Sequence, residues 1–284
     1  MKKINRRSFL AAAGLTAAAG LTAAALALTA CGGSASSTAS STASSAASSE
    51  AASTSAAAEL TTVEAGKLTM ATNAAFPPYE MTTDAGEFEG IDIDTAKAIA
   101  EKLGLELQID DMDFDAALLS VQQGKADIVM AGVTVTDERK AVMDFSDSYA
   151  TGIQSIIVPE GSDITSPDDL AGKKIGTQRG TTGYIYCSDD FGDDAVVAYD
   201  DGLTAVQALN NGQVDAVVID NAPAKEFVAA NPGLVILDTS YAEEDYAIGL
   251  AKGSALEDAV NAALEELKAD GTLQSIVDKY ITAE

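Results

Sequence analysis

One pattern of helix, glycine, aspartate and strand occurs twice in the chain, and it limits the possible folds more than any other feature. Gly124 and Asp127 form the first copy, Gly212 and Asp215 form the second, and a short apolar run follows each pair. A glycine suits the left-handed position that ends a helix, and an uninterrupted apolar run is typical of a strand buried on both faces of a sheet. The repetition predicts two similar lobes, although such a connection also occurs in α/β proteins with one sheet.

Short β-branched runs alternate with helical spacing beyond residue 60, which favours α/β units around mostly parallel sheets. Strands are predicted at 67–73, 105–109, 128–133, 152–158, 174–177, 196–199, 216–220, 235–237 and 246–251. Helices are predicted at 92–103, 114–123, 136–143, 203–210, 222–230, 255–269 and 273–280.

Residues 1–30 have the composition of an export signal, with four basic residues before an Ala-rich apolar run. The run ends at Cys31 in a sequence that resembles a bacterial lipoprotein box, which predicts a lipidated Cys31. A transmembrane anchor is the alternative, but alanine makes the run a weak one. Arg6-Arg7 resembles the twin-arginine motif, yet Asn5 stands where Ser or Thr is usual, so the export route stays open. Residues 31–59 are mostly Ser, Ala and Thr, which predicts a flexible linker.

Composition excludes several classes of function. Lys plus Arg is 17 against 44 for Asp plus Glu, and the net charge of −27 would repel nucleic acid. The chain has no histidine and two cysteines, so it lacks the residues for a His/Cys zinc site or a Ser-His-Asp triad. The acidic stretch 110–115 does not match a calcium loop, because Ala116 stands where the loop needs glycine. No metal or cofactor is predicted.

Arg139 is the strongest candidate for a ligand contact. It falls in the first turn of the predicted helix 136–143, where the helix dipole disfavours a cation. Its planar guanidinium is suited to a bound carboxylate, beside the backbone and hydroxyl groups at Gly132 and Thr134. An ion pair with Asp137, Glu138 or Asp144 is the alternative, and the sequence does not decide between them.

Asp220 ends the strand of the second copy, at the edge where open α/β sheets place ligands. It also fits the N-cap of the next helix, and the two roles are compatible. The glycine-rich loop 176–183 suits an anion but lacks the ending of a P-loop. Phe76 and Phe114 fall beside the strand ends, where they either clamp a ligand or pack in the core.

Several segments together resemble the extracytoplasmic solute-binding proteins of ABC importers for polar amino acids, most closely the glutamine-binding members. The resemblance covers about residues 66–282, and its matching stretches are 71–80, 90–94, 112–114, 131–139, 144–146, 179–182 and 269–272. It implies a two-lobed, type II periplasmic-binding-protein-like α/β fold with a ligand cleft between the lobes. The implied boundaries are 60–149 plus 249–284 for lobe 1, 154–243 for lobe 2, and hinges near 149–153 and 244–248.

The resemblance also implies roles for individual residues. Arg139 binds the α-carboxylate of an amino acid and Asp220 its ammonium group. The other implied ligand-binding residues are Asn73, Phe76, Phe114, Ala131, Gly132, Thr134, Gln178 and Thr182. Two positions depart from the glutamine-binding pattern, because Asn73 replaces an acidic residue and Gln178 replaces a lysine. Loss of both charges disfavours Lys, Arg and His ligands, and it leaves no second cation for Glu or Asp unless Arg179 supplies one. A neutral polar ligand is therefore favoured, with glutamine first and cystine, Ser or Thr after it.

The expected protein is a monomeric, non-enzymatic lipoprotein on the extracytoplasmic face of a bacterial membrane. Its expected partners are an amino acid and the permease subunits of an ABC transporter. Two alternatives remain from the sequence: a periplasmic dehydratase-like enzyme on the same fold, and a surface lipoprotein with no role in transport.

Overall fold

A computed structural model of the protein describes residues 60–281. The predicted signal peptide, Cys31 and the predicted linker lie outside these described residues, so they stay predictions. Within residues 60–281 every helix is too short or too polar to cross a membrane.

Fourteen strands and eight α-helices make up the described part of the chain. The strands are β1 Lys67–Thr72, β2 Ala75–Phe76, β3 Glu80–Thr82, β4 Phe88–Glu89, β5 Glu106–Asp111, β6 Ile128–Val129, β7 Met143–Phe145, β8 Ala150–Pro159, β9 Ile175–Gln178, β10 Val196–Tyr199, β11 Ala216–Asp220, β12 Leu234–Ile236, β13 Ala242–Tyr246 and β14 Gly249–Ala251. The helices are α1 Ile91–Leu103, α2 Phe114–Gln122, α3 Asp137–Lys140, α4 Thr182–Phe191, α5 Gly202–Asn210, α6 Asn221–Ala230, α7 Glu257–Ala269 and α8 Thr272–Tyr280.

The strands form two main sheets. The first sheet has the order β5-β1-β6-β14-β7, and the second has the order β10-β9-β11-β8-β12 with β13 also paired to β8. A small hairpin sheet, β2-β3-β4, follows β1. The chain enters the second sheet at β8 and returns between β13 and β14. These two crossing segments are neighbours, since β8 and β13 pair antiparallel with Ala150 opposite Tyr246.

Apolar side chains cover both faces of each sheet, which explains the uninterrupted apolar runs. Ile128 packs with β1, α1 and the C-terminal helices, whereas Val129 packs on the other face against α2. In the second sheet Val217 and Val218 divide in the same way between two clusters. The C-terminal helices α7 and α8 complete the core of the first sheet, and Lys279 in α8 pairs with Asp94 in α1 at 2.7 Å.

The two copies of the repeated pattern have the same structure. Gly124 and Gly212 have φ values of 66° and 67°, in the left-handed region that the pattern predicts for the end of a helix. The aspartates have matching roles. Asp127 accepts a hydrogen bond from the backbone N–H of Thr69 in β1, and Asp215 accepts one from Lys174 just before β9. Each aspartate therefore ties the strand that follows it to the parallel strand beside it in the same sheet.

Three predicted elements differ from the structure. The predicted strand 128–133 ends at Val129, because Gly132 adopts a φ of 55° and its N–H donates to Asp92. The predicted helix 136–143 is one turn, because Met143–Phe145 pair with β14 instead. The predicted strand 246–251 is two strands in different sheets, since the chain crosses between the sheets at Ala247 and Ile248.

Candidate functional site

A narrow cleft lies between the two sheets, at the carboxyl ends of their central strands. This is the edge at which open α/β sheets bind ligands. All ten residues selected from the sequence border it: Asn73, Phe76, Phe114, Ala131, Gly132, Thr134, Arg139, Gln178, Thr182 and Asp220. Six residues that were not selected border it too: Glu80, Gln154, Thr181, Val218, Ile219 and Tyr246. Whether these residues contact a ligand stays a prediction.

Arg139 is buried, with 8% of its surface exposed. Its Nη1 donates to the backbone oxygen of Thr134 at 2.8 Å and its Nη2 to that of Gly180 at 3.1 Å. The guanidinium lies 5.4 Å from the centre of the Phe114 ring. A guanidinium has five N–H groups, so several are left for a carboxylate.

The local reason for this position of Arg139 differs from the predicted one. Helix α3 has only four residues, so Arg139 is in its last turn as well as its first, and the dipole argument does not apply. Instead the Thr136 hydroxyl accepts the backbone N–H of Arg139 at 3.2 Å. None of the ion pairs among the described residues involves Arg139, and Asp144 pairs with Lys252 at 2.6 Å. Burial lowers the pKa of Arg139, and the nearby carboxylate of Glu244 opposes that effect.

Asp220 caps helix α6, as the sequence predicts. Its Oδ1 accepts from the backbone N–H of Ala222 at 2.9 Å, and its Oδ2 accepts from that of Ile153 at 2.7 Å. Burial raises the pKa of Asp220 to about 6, although these backbone hydrogen bonds act in the opposite direction. A hydrogen bond with the Tyr246 hydroxyl also lowers the pKa of Asp220, and a carboxylate has about four acceptor positions, so capping leaves room for an ammonium group.

Several contacts join the two sides of the cleft directly. Gln178 of β9 donates to the Asn73 side chain at 2.8 Å, and Asn73 donates to the backbone oxygen of Met112 at 3.0 Å. The two positions that depart from the glutamine-binding pattern therefore bind each other. Gly180 approaches Asp115 so closely that a Cβ at this position would overlap the carboxylate, and its φ is 74°. Glycine is thus required in this loop for the two sides to meet.

Glu244, in the crossing strand β13, holds a second set of contacts. Its Oε2 accepts from the hydroxyls of Thr134 at 3.0 Å and Thr182 at 2.9 Å, and from Gln154 Nε2 at 3.0 Å. The two hydroxyl oxygens lie 3.3 Å apart. A hydroxyl has one proton, so Thr134 and Thr182 offer lone pairs, not protons, to the cleft while Glu244 holds them.

Glu80 also borders the cleft, but its carboxyl group lacks the hydrogen-bond donors that Glu244 Oε2 has. It is fully buried, and neither of its carboxyl oxygens has a hydrogen-bond partner among the described residues. Burial and the neighbouring Asp92 raise the pKa of Glu80 well above its usual range. Asp92 is fully buried too, and burial raises its pKa to about 6. Its Oδ2 accepts from Gly132 N at 3.0 Å and from the Tyr149 hydroxyl at 2.8 Å.

Aromatic rings form one wall of the cleft. Phe76 stacks on Tyr79 with 5.8 Å between ring centres, and Tyr79 meets the edge of Tyr246 at 5.4 Å. Phe114 lies apart from these rings, beneath Arg139. The apolar faces of Phe76 and Phe114 thus flank a cleft whose remaining lining is largely polar.

Known proteins share this fold. The model of the bacterial extracellular solute-binding proteins, family 3, matches residues 68–283. The chain belongs to this family. It is 33% identical to a probable histidine-binding protein of Neisseria gonorrhoeae over 268 residues, 92% of each chain. An ancestral arginine-binding protein bound to glutamine is 43% identical with a TM-score of 0.73, and covers 77% of this chain and 99% of its own. An ancestral arginine-binding protein bound to arginine is 43% identical, TM-score 0.72, over 76% and 98%.

These findings confirm the two-lobed α/β fold and the coarse function. The chain is a substrate-binding protein of an amino-acid ABC transporter, and the relatives it matches are solute-binding proteins. The specific amino acid is a separate question, because the relatives differ in the amino acid for which they are named.

Sequence reasoning missed Glu80 and Glu244. Glu80 lies within the matching stretch 71–80, next to Tyr79, and an acidic residue between apolar neighbours was the available signal. Glu244 lies in Glu243-Glu244-Asp245, where three adjacent acids suggest a solvated surface. In β13 only the middle one is buried, because alternate residues of a strand face opposite sides.

Proposed function

We propose that this protein binds a polar L-α-amino acid in the cleft, with glutamine as the first candidate, and delivers it to the permease. The observation that carries the proposal is the placement of Arg139 and Asp220 on opposite walls of one cleft. One buried cation and one buried anion match the two charges of a zwitterion. Arg139 receives the α-carboxylate, Asp220 receives the α-ammonium, and Phe76 and Phe114 enclose the side chain.

The end of the ligand side chain lies near Asn73, Gln178 and Glu80 in this proposal. Asn73 and Gln178 are neutral, and their amides offer donors and acceptors of the kind that a carboxamide needs. Protonated Glu80 also donates and accepts. A glutamine side chain satisfies all three groups without introducing a charge, which supports glutamine ahead of cystine, Ser and Thr.

Arginine is the second candidate, and Glu80 is the specific observation in its favour. A buried carboxyl without a donor is costly, and a guanidinium would supply several N–H groups to it. A ligand with an acidic side chain would add a third carboxyl beside Glu80 and Asp92, so Glu and Asp are expected to bind poorly.

Calorimetric titration of the mature protein against glutamine, arginine, histidine, cystine, Ser and Thr tests the proposal. We expect the tightest binding for glutamine, and measurable binding for arginine. Binding of none of these amino acids at millimolar concentration would contradict the proposed function. Tightest binding of histidine or cystine would keep an amino-acid site but reject glutamine.

We also propose that Cys31 is lipidated and anchors the mature chain on the extracytoplasmic face of the membrane, as a monomer on a flexible linker. The lipoprotein-box resemblance at 28–31 supports this. Mass spectrometry of the membrane fraction should find an acylated cysteine as the first residue. A mature protein that retains residues 3–32 as one peptide would contradict the anchor.

The two lobes, residues 60–149 plus 249–284 and residues 154–243, are proposed to rotate about the crossing segments near 149–153 and 244–248. This rotation encloses the ligand between the lobes. The direct contacts across the cleft, such as Gln178 to Asn73, support a closed arrangement that must open for entry. Small-angle scattering should show a smaller radius of gyration on saturation with ligand. An unchanged profile would indicate a site formed by one lobe.

A further inference from the structure

Three carboxyl oxygens meet beside the cleft with no hydrogen-bond donor. They are Glu80 Oε1, Glu80 Oε2 and Asp92 Oδ1, all buried. The fourth oxygen, Asp92 Oδ2, is held by Gly132 and Tyr149. Burial, the charge of Asp92 and a side-chain hydrogen bond to Asp92 all raise the pKa of Glu80. A single proton on Glu80 would supply the missing donor.

The surroundings of this pair contain no compensating cation among the described residues. The titratable groups that act on Glu80 and Asp92 are acids or phenols. They are Tyr79 before β3, Asp111 at the end of β5, Tyr149 before β8, Asp220 at the end of β11, and the two carboxyls themselves on β3 and α1. Two carboxylates that share a dry site with no cation cannot both be ionised, so the pair holds one proton at neutral pH.

We propose that the proton shared by Glu80 and Asp92 responds to the charge of the ligand side chain. It leaves when a cationic side chain binds beside Glu80 and stays when a neutral side chain binds. The inference rests on the proposed function, because it requires an amino acid in this cleft. The balance is simple: the Glu80 O–H bond breaks, the proton goes to the buffer, and the Glu80 carboxylate pairs with the incoming cation.

This exchange allows one cleft to accept two classes of ligand. Neutral Glu80 donates and accepts one hydrogen bond, which suits a carboxamide, whereas ionised Glu80 suits a guanidinium. The arginine-to-glutamine affinity ratio should then rise with pH, by up to about tenfold per unit, because proton release is linked to arginine alone. Titration of Asp220 does not change this ratio, because Asp220 is proposed to bind the ammonium group that both ligands have.

Calorimetric titration at pH 7 in two buffers of different ionisation enthalpy measures the protons released. With arginine we expect about one more proton released per ligand bound than with glutamine. Equal proton counts for the two ligands would overturn the inference while leaving the proposed function intact. Arginine that fails to bind up to pH 8.5 while glutamine binds would also overturn it. Failure of every amino acid to bind would overturn the proposed function.

Two variants assign the proton. Glu80→Gln removes the titrating group, so its proton release is expected to be the same with arginine as with glutamine. Glu87→Gln is the matched control, because Glu87 lies exposed on the same hairpin and should keep the proton release of the natural chain. Full proton release by the Glu80→Gln variant would move the proton to another group and overturn the inference.

Discussion

Glu80 and Glu244 are both buried beside the cleft, yet their surroundings differ. Glu244 Oε2 accepts three hydrogen bonds, from Thr134, Gln154 and Thr182, and the cation of Arg139 is near, although Glu244 Oε1 has no partner among the described residues. Glu80 accepts none, and its nearest charged neighbour is another acid. A buried carboxylate costs free energy unless donors surround it, so the two glutamates make opposite contributions to the stability of the protein without ligand.

Glu244 is a carboxyl group that joins parts of the protein, whereas Glu80 is one that is proposed to contact a ligand. Glu244 accepts hydrogen bonds from Thr134, which follows β6 of the first sheet, from Gln154 in β8 of the second sheet, and from Thr182 at the start of α4. It therefore joins segments from both sides of the cleft. Glu80 is left without donors at the proposed end of the ligand side chain, where a ligand with N–H groups relieves the cost.

Arg139→Ala should have the largest effect, and it makes the surroundings of Glu244 more like those of Glu80. A ligand whose carboxylate loses its guanidinium partner in a closed cleft typically loses about 2 to 5 kcal/mol of binding free energy, which is roughly thirty-fold to several-thousand-fold in affinity. Arg139→Lys should also bind poorly, because an ammonium cannot reproduce the planar fork. Calorimetric titration measures both. Near-natural affinity in Arg139→Ala would mean that the arginine is structural and the proposed carboxylate site is wrong.

Glu244→Ala should come next, as a loss of stability. Its removal leaves three buried donors without their acceptor, and each unsatisfied group costs about 1 to 3 kcal/mol, so we expect a loss of roughly 3 kcal/mol or more. Glu244→Gln should lose less, because its amide oxygen still accepts. Denaturant unfolding of the protein without ligand measures both. A Glu244→Ala variant as stable as the natural chain would remove the contrast with Glu80.

The contrast also shows which parts of the site can be predicted from sequence. Asp220 was found because it ends an apolar run, which makes a strand end visible in the sequence. Arg139 was selected from its place in a predicted helix and from the family resemblance, and the helix argument failed because α3 is a single turn. The stabilising partners of Glu244 come from residues 134, 154 and 182, and those of Asp92 from residues 132 and 149. Such contacts depend on how distant segments pack, which no local pattern encodes.

The fold was predictable for a related reason. The repeated glycine and aspartate act locally, within one lobe, and the apolar runs report burial on both sheet faces. The short strands β2, β3, β4 and β7 were missed because two or three residues do not establish a period. Helix α4, Thr182–Phe191, was also absent from the predicted helices. The crossing at Ala247 was missed because the apolar run continues through it while its hydrogen-bond partners change sheet.

Glu80→Gln should have the opposite sign from Glu244→Ala. Removing the ionisable group ends the cost of burying it, so we expect a gain in the free energy of unfolding at pH 8. The natural chain should lose stability as pH rises from about 4 to 6. Asp92 and Asp220 have a pKa of about 6 in the folded protein, above the usual range of a carboxyl group, so the folded state binds more protons than the unfolded state over this interval. The raised pKa of Glu80 extends that loss above pH 6.

Unfolding curves from pH 4 to 8 measure this slope. Glu80→Gln should be nearly flat above pH 6, whereas exposed Glu87→Gln should follow the natural chain. A Glu80→Gln variant that is less stable than the natural chain at pH 8 would mean that the carboxylate has donors after all.

Gln178→Ala should have the smallest effect, and it tests whether closure depends on Glu244 alone. Gln178 donates to Asn73 across the cleft at 2.8 Å, and one neutral hydrogen bond contributes about 0.5 to 1.5 kcal/mol. If Glu244 dominates closure, Gln178→Ala saturated with glutamine should reach the radius of gyration of the natural chain saturated with glutamine in small-angle scattering, whereas Glu244→Ala should stay more expanded. Gln213→Ala, in an exposed turn of the second lobe, is the matched control. Expansion in Gln178→Ala equal to that in Glu244→Ala would mean that the amide contact closes the cleft as much as the carboxylate does, since both would then be needed to hold the lobes together.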